Sequence, residues 1–556
     1  MPKLKEPFIL GFSDSVHDRS VCIFKGNQPL IGIEEERLTR VKHGLSFYGE
    51  SRHNPSAFAN MNLENSSAED NTRRLTPAID YCLTALGLNI SDMDLVIGNS
   101  LHVGFPFRDR AIYINHHLAH ASSAFFSSGF QDAAILIADG YGDITEAQTY
   151  ETVVLGKGAD NQIHFFNTVC GKVTNYYDMQ NSIGVFYRIG TLLSGFGILD
   201  EGKAMGLSSY GTPRFYELIR RHIVFNKDSV LINNKAIWDV LSIKVRNIDN
   251  FNDRADVAST FQILLQEIIL HYADILYEKS GSKNLCIAGG VGLNCVSNAS
   301  LLKKSKFEQV FIFPAAGDNG ISFGSGYYAA HQIFQLPRTQ QLKHAYFGRI
   351  YSGDEIEDCL LNTPGNFKFK RQDLDLQATE AARLLSENNI IMWFQEGSEL
   401  GPRALGHRSI LANPGHIANK DYINSNVKFR ELFRPLAPMI LEEFASTYFD
   451  CSALSPFMLF SPPVREITTK VAPAIVHCDN SARLQTLSLE ANPLLHKVIT
   501  AFYQITGIPI LLNTSFNGKD EPIVETPQQG LNAFLKSPVE YLFMDNYKIT
   551  KHSKNE

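Results

Sequence analysis

Three times along this chain a short apolar run ends in a loop of small or acidic residues. Phe8 to Ser13 closes on small residues; the stretch AAILIADGYGD, opening at Ala134, runs into Asp139-Gly140; Leu285 to Ala288 runs into Gly289-Gly290-Val291-Gly292. Apolar runs of this length bounded by turn residues read as buried strands. Loops after the carboxyl ends of such strands are where open α/β sheets hold ligands. Val21 to Phe24 and Ile31 to Glu34 add two strands about the turn Lys25-Gly26-Asn27. The spacing of Phe261, Leu264, Leu265, Ile268 and Ile269 predicts a core-facing helix over 254–279. Ala378 to Ser386 reads as a helix and Ile390 to Phe394 as a strand, while 335–352 reads as a connector. We therefore expect a domain boundary near 345, dividing the chain into 1–345 and 346–556.

Two strand-first halves followed by a Gly-Gly loop fit the duplicated α/β architecture of actin-like (ASKHA) proteins. An unspecified doubly wound α/β domain meets the same pattern. A length of 556 residues with 44% hydrophobic and 20% charged residues suits two or three globular domains. The net charge of −7 provides no basic excess to displace counterions, so no nucleic-acid partner is expected. No stretch approaches the ~18–20 apolar residues that span a bilayer. Residues 1–10 carry no apolar segment followed by a cleavage site, so a cytoplasmic protein without a membrane partner is expected. The eight cysteines are scattered without a Cys-x-x-Cys pair, which fits reduced, buried thiols rather than a disulfide framework or zinc ribbon.

The chemistry concentrates in two regions. His116 and His120 in NHHLAHASSAFFSS stand four apart, so a helix would put both imidazoles on one face. Asp139 ends a strand, and Asp318 lies in the Gly-rich PAAGDNGISFGSG. Two imidazoles and one or two carboxylates suit a divalent first-row metal such as Fe(II), Mn(II) or Zn(II). Two histidines with unrelated partners would produce the same spacing. A zinc protease is disfavoured, because its His-Glu-x-x-His needs a glutamate where this chain has His117. Lys203 and Gly206 in EGKAMG, Gly289 to Asn294, and Gly317 to Gly320 have phosphate-binding character, although each also reads as a tight turn. The last third gathers Arg403 and Arg408 in GPRALGHRS, Lys428 and Arg430 in VKFRELFRP, and Arg483 in SARLQT. Asn513, Ser515 and Asn517 follow in ILLNTSFNGKDEP. Guanidinium groups clamp phosphates, while hydroxyls and amides orient a carbonyl. An ordinary solvated face is the alternative.

Together these segments resemble the NodU/CmcH family of O-carbamoyltransferases. The resemblance runs through SVHDRSVCIFKG, EEERLTRVKHG, NHHLAHASSAF, IADGYGD, EGKAMGLSSYG, CIAGGVGLNCVSN, FPAAGDNG, ELGPRALGHRSILANP, VKFRELFRPLAP, SARLQT and LLNTSFN. It implies a duplicated ASKHA N-terminal domain and a YrdC-like α/β C-terminal domain. The latter would make O-carbamoyladenylate from carbamoyl phosphate and ATP, with Mg2+ accompanying the ATP. The former would pass the carbamoyl group to a hydroxyl of a small metabolite, as in antibiotic and other natural-product biosynthesis. Residue by residue, it implies Lys428, Arg483, Asn513 and Ser515 as the carbamoyl phosphate cradle, with Arg403, Arg408, Arg430 and Asn517 beside them. His116, His120, Asp139 and Asp318 would hold a metal, Fe2+ by analogy. Lys42, Lys203, Gly206, Gly289, Gly290 and Asn294 would hold nucleotide, and His17 would be the general base, with an imidazole pKa near 6.5. The acceptor pocket is expected within 44–75 (Gly44, Phe47, Tyr48, Asn54), and a water-poor passage is expected for the intermediate. The oligomeric expectation is a monomer or homodimer. A small-molecule kinase on the same scaffold would leave the Arg-rich third idle. A non-catalytic actin-like scaffold would not need His116 or His120. Hydrogenase maturation proteins carry Cys-x-x-Cys segments that are absent here. One departure is Glu396, where relatives usually have Gly.

Overall fold

The computed structural model describes residues 6–15, 17–44, 75–100, 107–173, 179–244, 250–338 and 340–552. Phe47, Tyr48 and Asn54, expected near the acceptor, lie outside the described residues. The chain divides into two compact units, Met1–Leu342 and Lys343–Glu556.

In the first unit, one sheet contains β1 (Phe8–Asp14), β2 (Ser20–Lys25), β3 (Gln28–Glu34), β4 (Leu95–Ser100) and β5 (Ala111–Tyr113), in the order β3-β2-β1-β4-β5. A second contains β6 (Asp132–Ala138), β7 (Tyr150–Ala159), β8 (Gln162–Gly171), β11 (Asn284–Ala288) and β12 (Gln309–Ile312), in the order β12-β11-β6-β7-β8. Between β8 and β11 in sequence, β9 (Ile223–Phe225) and β10 (Val230–Ile232) form a separate antiparallel pair. In each large sheet the first strand is antiparallel to the second and parallel to the fourth. The third strand is antiparallel to the second, and the fifth is parallel to the fourth. The same five-strand topology therefore occurs twice. The opening strands β1 and β6 are almost wholly buried, which is why both read as unbroken apolar runs.

The helices that position the site are α1 (His116–Ser127), α2 (Glu201–Ser208), α3 (Phe251–Ser280) and α4 (Ile321–Tyr328). Asn115 caps α1, its side-chain oxygen accepting from the Leu118 N–H at 2.9 Å. Helix α4 is rich in small residues because it lies hard against α1: a Cβ on Gly324 would stand 1.9 Å from the Ala119 carbonyl oxygen. After β11, Gly289 takes φ +89°, and a Cβ there would meet the Ala138 carbonyl oxygen at 2.3 Å. Only glycine lets that loop turn so close to the end of β6. Helix α3 extends beyond the expected 254–279, from the Asn250 cap to Gly281 at φ 64°.

The second unit is built on one eight-stranded mixed sheet. It comprises β13 (Phe367–Arg371), β14 (Ile391–Phe394), β15 (Arg408–Ala412), β16 (Ala437–Leu441), β17 (Gln485–Leu487), β18 (Ile510–Ser515), β19 (Tyr541–Met544) and β20 (Tyr547–Lys551). Their order is β13-β20-β19-β14-β15-β18-β16-β17. Side chains alternate between two cores. Trp393, Leu411, Met439 and Leu511 pack with residues of α5 (Leu374–Ser386) and α6 (Pro493–Thr506), while Met392, Phe394, Ile410 and Leu512 belong to the opposite core. No helix among the described residues is long and apolar enough to cross a membrane.

Candidate functional site

In the first unit, α1 places His116 and His120 one turn apart, β6 delivers Asp139 at its carboxyl end, and the turn before α4 delivers Asp318. All four are buried, and their ligand atoms lie within 4.8 Å of one another. His116 Nε2 is 3.2 Å from Asp139 Oδ2 and 3.6 Å from Asp318 Oδ1; His120 Nε2 is 3.5 and 3.6 Å from the same two oxygens. Metal–ligand bonds of ~2.1 Å at tetrahedral or octahedral angles separate neighbouring ligand atoms by about 3.0–3.4 Å. The quartet approaches that spacing, and neither ring nitrogen of the fully buried His120 makes a hydrogen bond. A donor set of two imidazoles and two carboxylates therefore fits a divalent first-row ion. Burial opposes charge on His120, but Asp139 and Asp318 outweigh it and raise its pKa to about 9. Burial likewise works against charge on both carboxyls, yet the histidines hold Asp139 well below the usual carboxylate range and Asp318 below it.

Further groups aim this quartet. Asn99 Oδ1 lies 3.2 Å from His116 Nδ1, so it accepts that proton and leaves Nε2 for a ligand role. Asp143 Oδ2 accepts the His116 backbone N–H at 3.0 Å, and Asp139 Oδ1 accepts the Gly290 N–H at 3.1 Å. The last bond ties the histidine–carboxylate quartet to the Gly-Gly loop. The Ser15 hydroxyl donates to Asp318 Oδ2. Asn99 lay outside every motif; Asp143 was legible as the second aspartate of IADGYGD. His17 Nδ1 stands 3.0 Å from Asp18 Oδ2, and His43 Nδ1 stands 2.7 Å from the other oxygen of the same carboxylate. Lys42 lies in the adjoining turn Lys42–Gly44. Lys203 pairs with Asp200 at 2.8 Å, and Gly206 is buried within α2.

In the second unit, Lys428 Nζ donates to the Ser515 carbonyl at 2.8 Å, the Ser515 hydroxyl at 3.2 Å and the Asn517 carbonyl at 3.0 Å. It also reaches Asn517 Oδ1, which accepts from the Ser515 hydroxyl at 2.7 Å. Burial and the neighbouring cations Arg434 and Arg483 together push the Arg430 pKa well below the usual guanidinium range. Like charges crowded in this way disfavour the charged guanidinium, and an anion among them would relieve that cost. Glu399, which sequence reasoning missed, shapes the adjoining GPRALGH loop from within: one carboxylate oxygen accepts the backbone N–H groups of Leu405, His407 and Arg408 at 2.8, 2.7 and 3.0 Å. Asn513 Nδ2 ties the same loop to β18 through the Ala404 carbonyl at 3.0 Å.

The family model described as carbamoyltransferase N-terminus matches residues 99–327, and that described as carbamoyltransferase C-terminus matches residues 382–551. The chain belongs to the carbamoyltransferase family. It is 33% identical to nodulation protein NolNO of Sinorhizobium fredii, over 97% of this chain and 79% of that protein. It is 35% identical to nodulation protein NolO of Bradyrhizobium diazoefficiens, over 79% of each. It is also 30% identical to uncharacterized protein sll1178 of Synechocystis, over 98% of this chain and 96% of that one.

Three expectations for this carbamoyltransferase require correction. Arg408 is not free to cradle a phosphate. It is fully buried, and its terminal nitrogens donate to the carbonyls of Gln395, His407, Glu396 and Glu525 at 2.7, 3.1, 2.9 and 3.2 Å. Its guanidinium also lies 3.5 Å from the Phe394 ring centroid. It braces the loop that follows β14 and the loop that leads into β15. The Asn294 amide is likewise engaged: Oδ1 accepts from the Ser297 N–H at 2.9 Å, and the amide exchanges hydrogen bonds of 3.1 and 3.0 Å with Gln262. His17 does not titrate near 6.5; burial lowers its pKa, but Asp18 and Asp318 more than reverse this and raise it to about 9. Glu396, where the resemblance led us to expect Gly, holds φ +42° and donates its N–H to Asp545 Oδ1 at 2.8 Å. Glycine would take that left-handed backbone without strain.

Proposed function

We propose that this carbamoyltransferase is ATP-dependent and works in two half-reactions. The observation that carries this reading is that each unit has its own charged constellation: a histidine–carboxylate quartet in the first, a lysine–arginine cradle in the second. In the second unit, read as YrdC-like, carbamoyl phosphate loses its phosphate to water. An oxygen of the resulting carbamate then displaces pyrophosphate from the α-phosphorus of ATP, forming O-carbamoyladenylate. Lys428, Arg430 and Arg483 offset the repulsion between two anions, and holding them side by side removes the entropic cost of their encounter. ATP would bring Mg2+ with it.

In the first unit, read as ASKHA-like from its repeated sheet topology, a hydroxyl of a small metabolite attacks the carbamoyl carbon and AMP leaves. His116, His120, Asp139 and Asp318 would hold a divalent ion, Fe2+ in this reading. Bound there, it supplies Lewis-acid stabilisation of the adenylate phosphate. His17 is positioned through Nδ1 by Asp18, leaving Nε2 to take the hydroxyl proton. Lys42, Lys203 and the Gly289-Gly290 loop contribute to nucleotide binding.

The test is mass spectrometry of products from a panel of hydroxylated metabolites supplied with carbamoyl phosphate, ATP and Fe(II). Carbamoylated product with AMP, pyrophosphate and phosphate is expected. ADP with a phosphorylated product would overturn the reading in favour of a kinase.

A further inference from the structure

An arginine outside every segment that carries the family resemblance lies beside the first unit's quartet. The helix Ile183–Leu193 is capped by Ser182, whose hydroxyl accepts the Val185 N–H at 3.0 Å and donates to the Gly140 carbonyl at 2.6 Å. The Gly184 N–H donates to the Asp139 carbonyl at 3.2 Å. A Cβ on Gly184 would stand 2.7 Å from Gly140 Cα. The face that bears Gly184 therefore rests on the Asp139-Gly140 turn. Residues four apart share a helix face, so Arg188 comes one turn further along that same face.

The two ends of its guanidinium meet different neighbours. Nε stands 3.5 Å from Glu201 Oε1 at the start of α2. Nη2 stands 3.8 Å from the place a Cβ on Gly140 would take. The Arg188 charge is felt at both His17 and Tyr141, and so is that of Asp318. Arg188, His17, Tyr141 and Asp318 thus border one space, and the first three are partly exposed. In the two-step reading every other charged group there has a task. Asp139 and Asp318 belong to the divalent ion, Asp18 is shared by two histidines, and the adenylate phosphate falls to the ion and to Lys42 and Lys203. Arg188 stands where a hydroxyl must arrive to meet His17. A guanidinium carries its donors in a rigid fork that matches the oxygens of a carboxylate or phosphate.

We infer that Arg188 selects an acceptor carrying an oxyanion, a carboxylate or a phosphate, beside the hydroxyl that receives the carbamoyl group. The inference rests on the proposed function and deepens it by naming the acceptor's chemical class. A neutral acceptor would leave the guanidinium without that contact, and an amine-bearing one would meet a like charge. Both lose binding energy that an oxyanion gains.

The experiment supplies carbamoyl phosphate, ATP and Fe(II) with two matched series of hydroxyl compounds. One is glucose, glucosamine, glucuronate and glucose 6-phosphate; the other is glycerol, glycerate and glycerol 3-phosphate. Carbamoylated products are quantified by mass spectrometry. Wild type is expected to favour the anionic members over the neutral ones by about 10–100-fold in kcat/KM, and Arg188→Ala should remove most of that preference. Arg188→Lys keeps the charge but not the fork, so its preference should fall between, and it serves if the alanine variant does not fold. Preference for the carboxylates or for the phosphates supports the inference and identifies which oxyanion is read. Transfer only to neutral or amine-bearing members, transfer to no member, or an equal fall for every member in Arg188→Ala overturns it and leaves the two-step reaction standing. The equal fall would put Arg188 on the adenylate. Absence of carbamoyl-phosphate-dependent pyrophosphate release from wild type overturns both.

Discussion

A single amide decides how His116 can act. Asn99 accepts the Nδ1 proton and so presents Nε2 to the carboxylates. Asn99→Ala should weaken divalent-metal binding about 10–100-fold with little change in overall fold, read by equilibrium metal titration. The Asp18 carboxylate bridges His17 and His43, and it helps to hold His17 protonated at neutral pH. A base with a raised pKa becomes competent as pH climbs, so the rate of transfer from preformed carbamoyladenylate should rise with pH and level off above about 9 as His17 loses its proton. Asp18→Asn should move that limb to lower pH, and His17→Gln should abolish it; a limb unmoved in both variants would remove His17 from the chemistry. The arginines of the second unit separate by function. Arg408→Ala strands buried carbonyls and should cost about 3 kcal/mol in stability by denaturant melt. Arg483→Ala should instead leave the melt unchanged and raise the KM for carbamoyl phosphate.

The histidine–carboxylate quartet depends on elements as much as on its own residues. Asn115 caps α1 just ahead of His116 and also donates to Glu151 Oε2 at 2.9 Å. The close approach of α1 and α4 at Gly324 sets how far His120 stands from the turn carrying Asp318. Gly324→Ala should push the helices apart, costing about 1–3 kcal/mol as overpacking. It should also weaken metal binding, although no ligand is touched. A melt with unaltered stability would show that the helices can slide without penalty. This part of the site was only half legible. The i, i+4 histidines and the Gly-rich stretch around Asp318 could be read from sequence, because spacing and small residues are local properties. That α4 packs on α1 depends on residues some two hundred positions apart.

Across the molecule, the half-reactions proposed above fall to different residues of the two units. Lys428→Ala should abolish carbamoyladenylate formation, whereas His120→Ala should spare it and block transfer, both read by trapping the intermediate from single-turnover mixtures. If the two variants fail at the same step, the division is wrong. The charged quartet also gives the metal-free protein a pH signature. His17 and His120, raised to about 9, contribute stability that is fully present below pH 6.5 and lost as pH rises through 9. Asp139 and Asp318, lowered, contribute stability present above about pH 4 and lost in acid. The Tm of chelator-treated protein should therefore fall between pH 6.5 and 9.5 by calorimetry. A flat or rising profile would contradict the assignment. By itself the sequence determined the buried strands, the loops at their ends and the helix holding two histidines, because hydrophobic period, turn residues and motif spacing are written locally. Tertiary structure alone decided that Asn99 aims a histidine, that Arg408 braces loops where a phosphate ligand was expected, and that Asp18 is shared between His17 and the distant His43. Hydrogen-bond partners and charge neighbours are settled by which distant segments the fold brings within about 3 Å of each other.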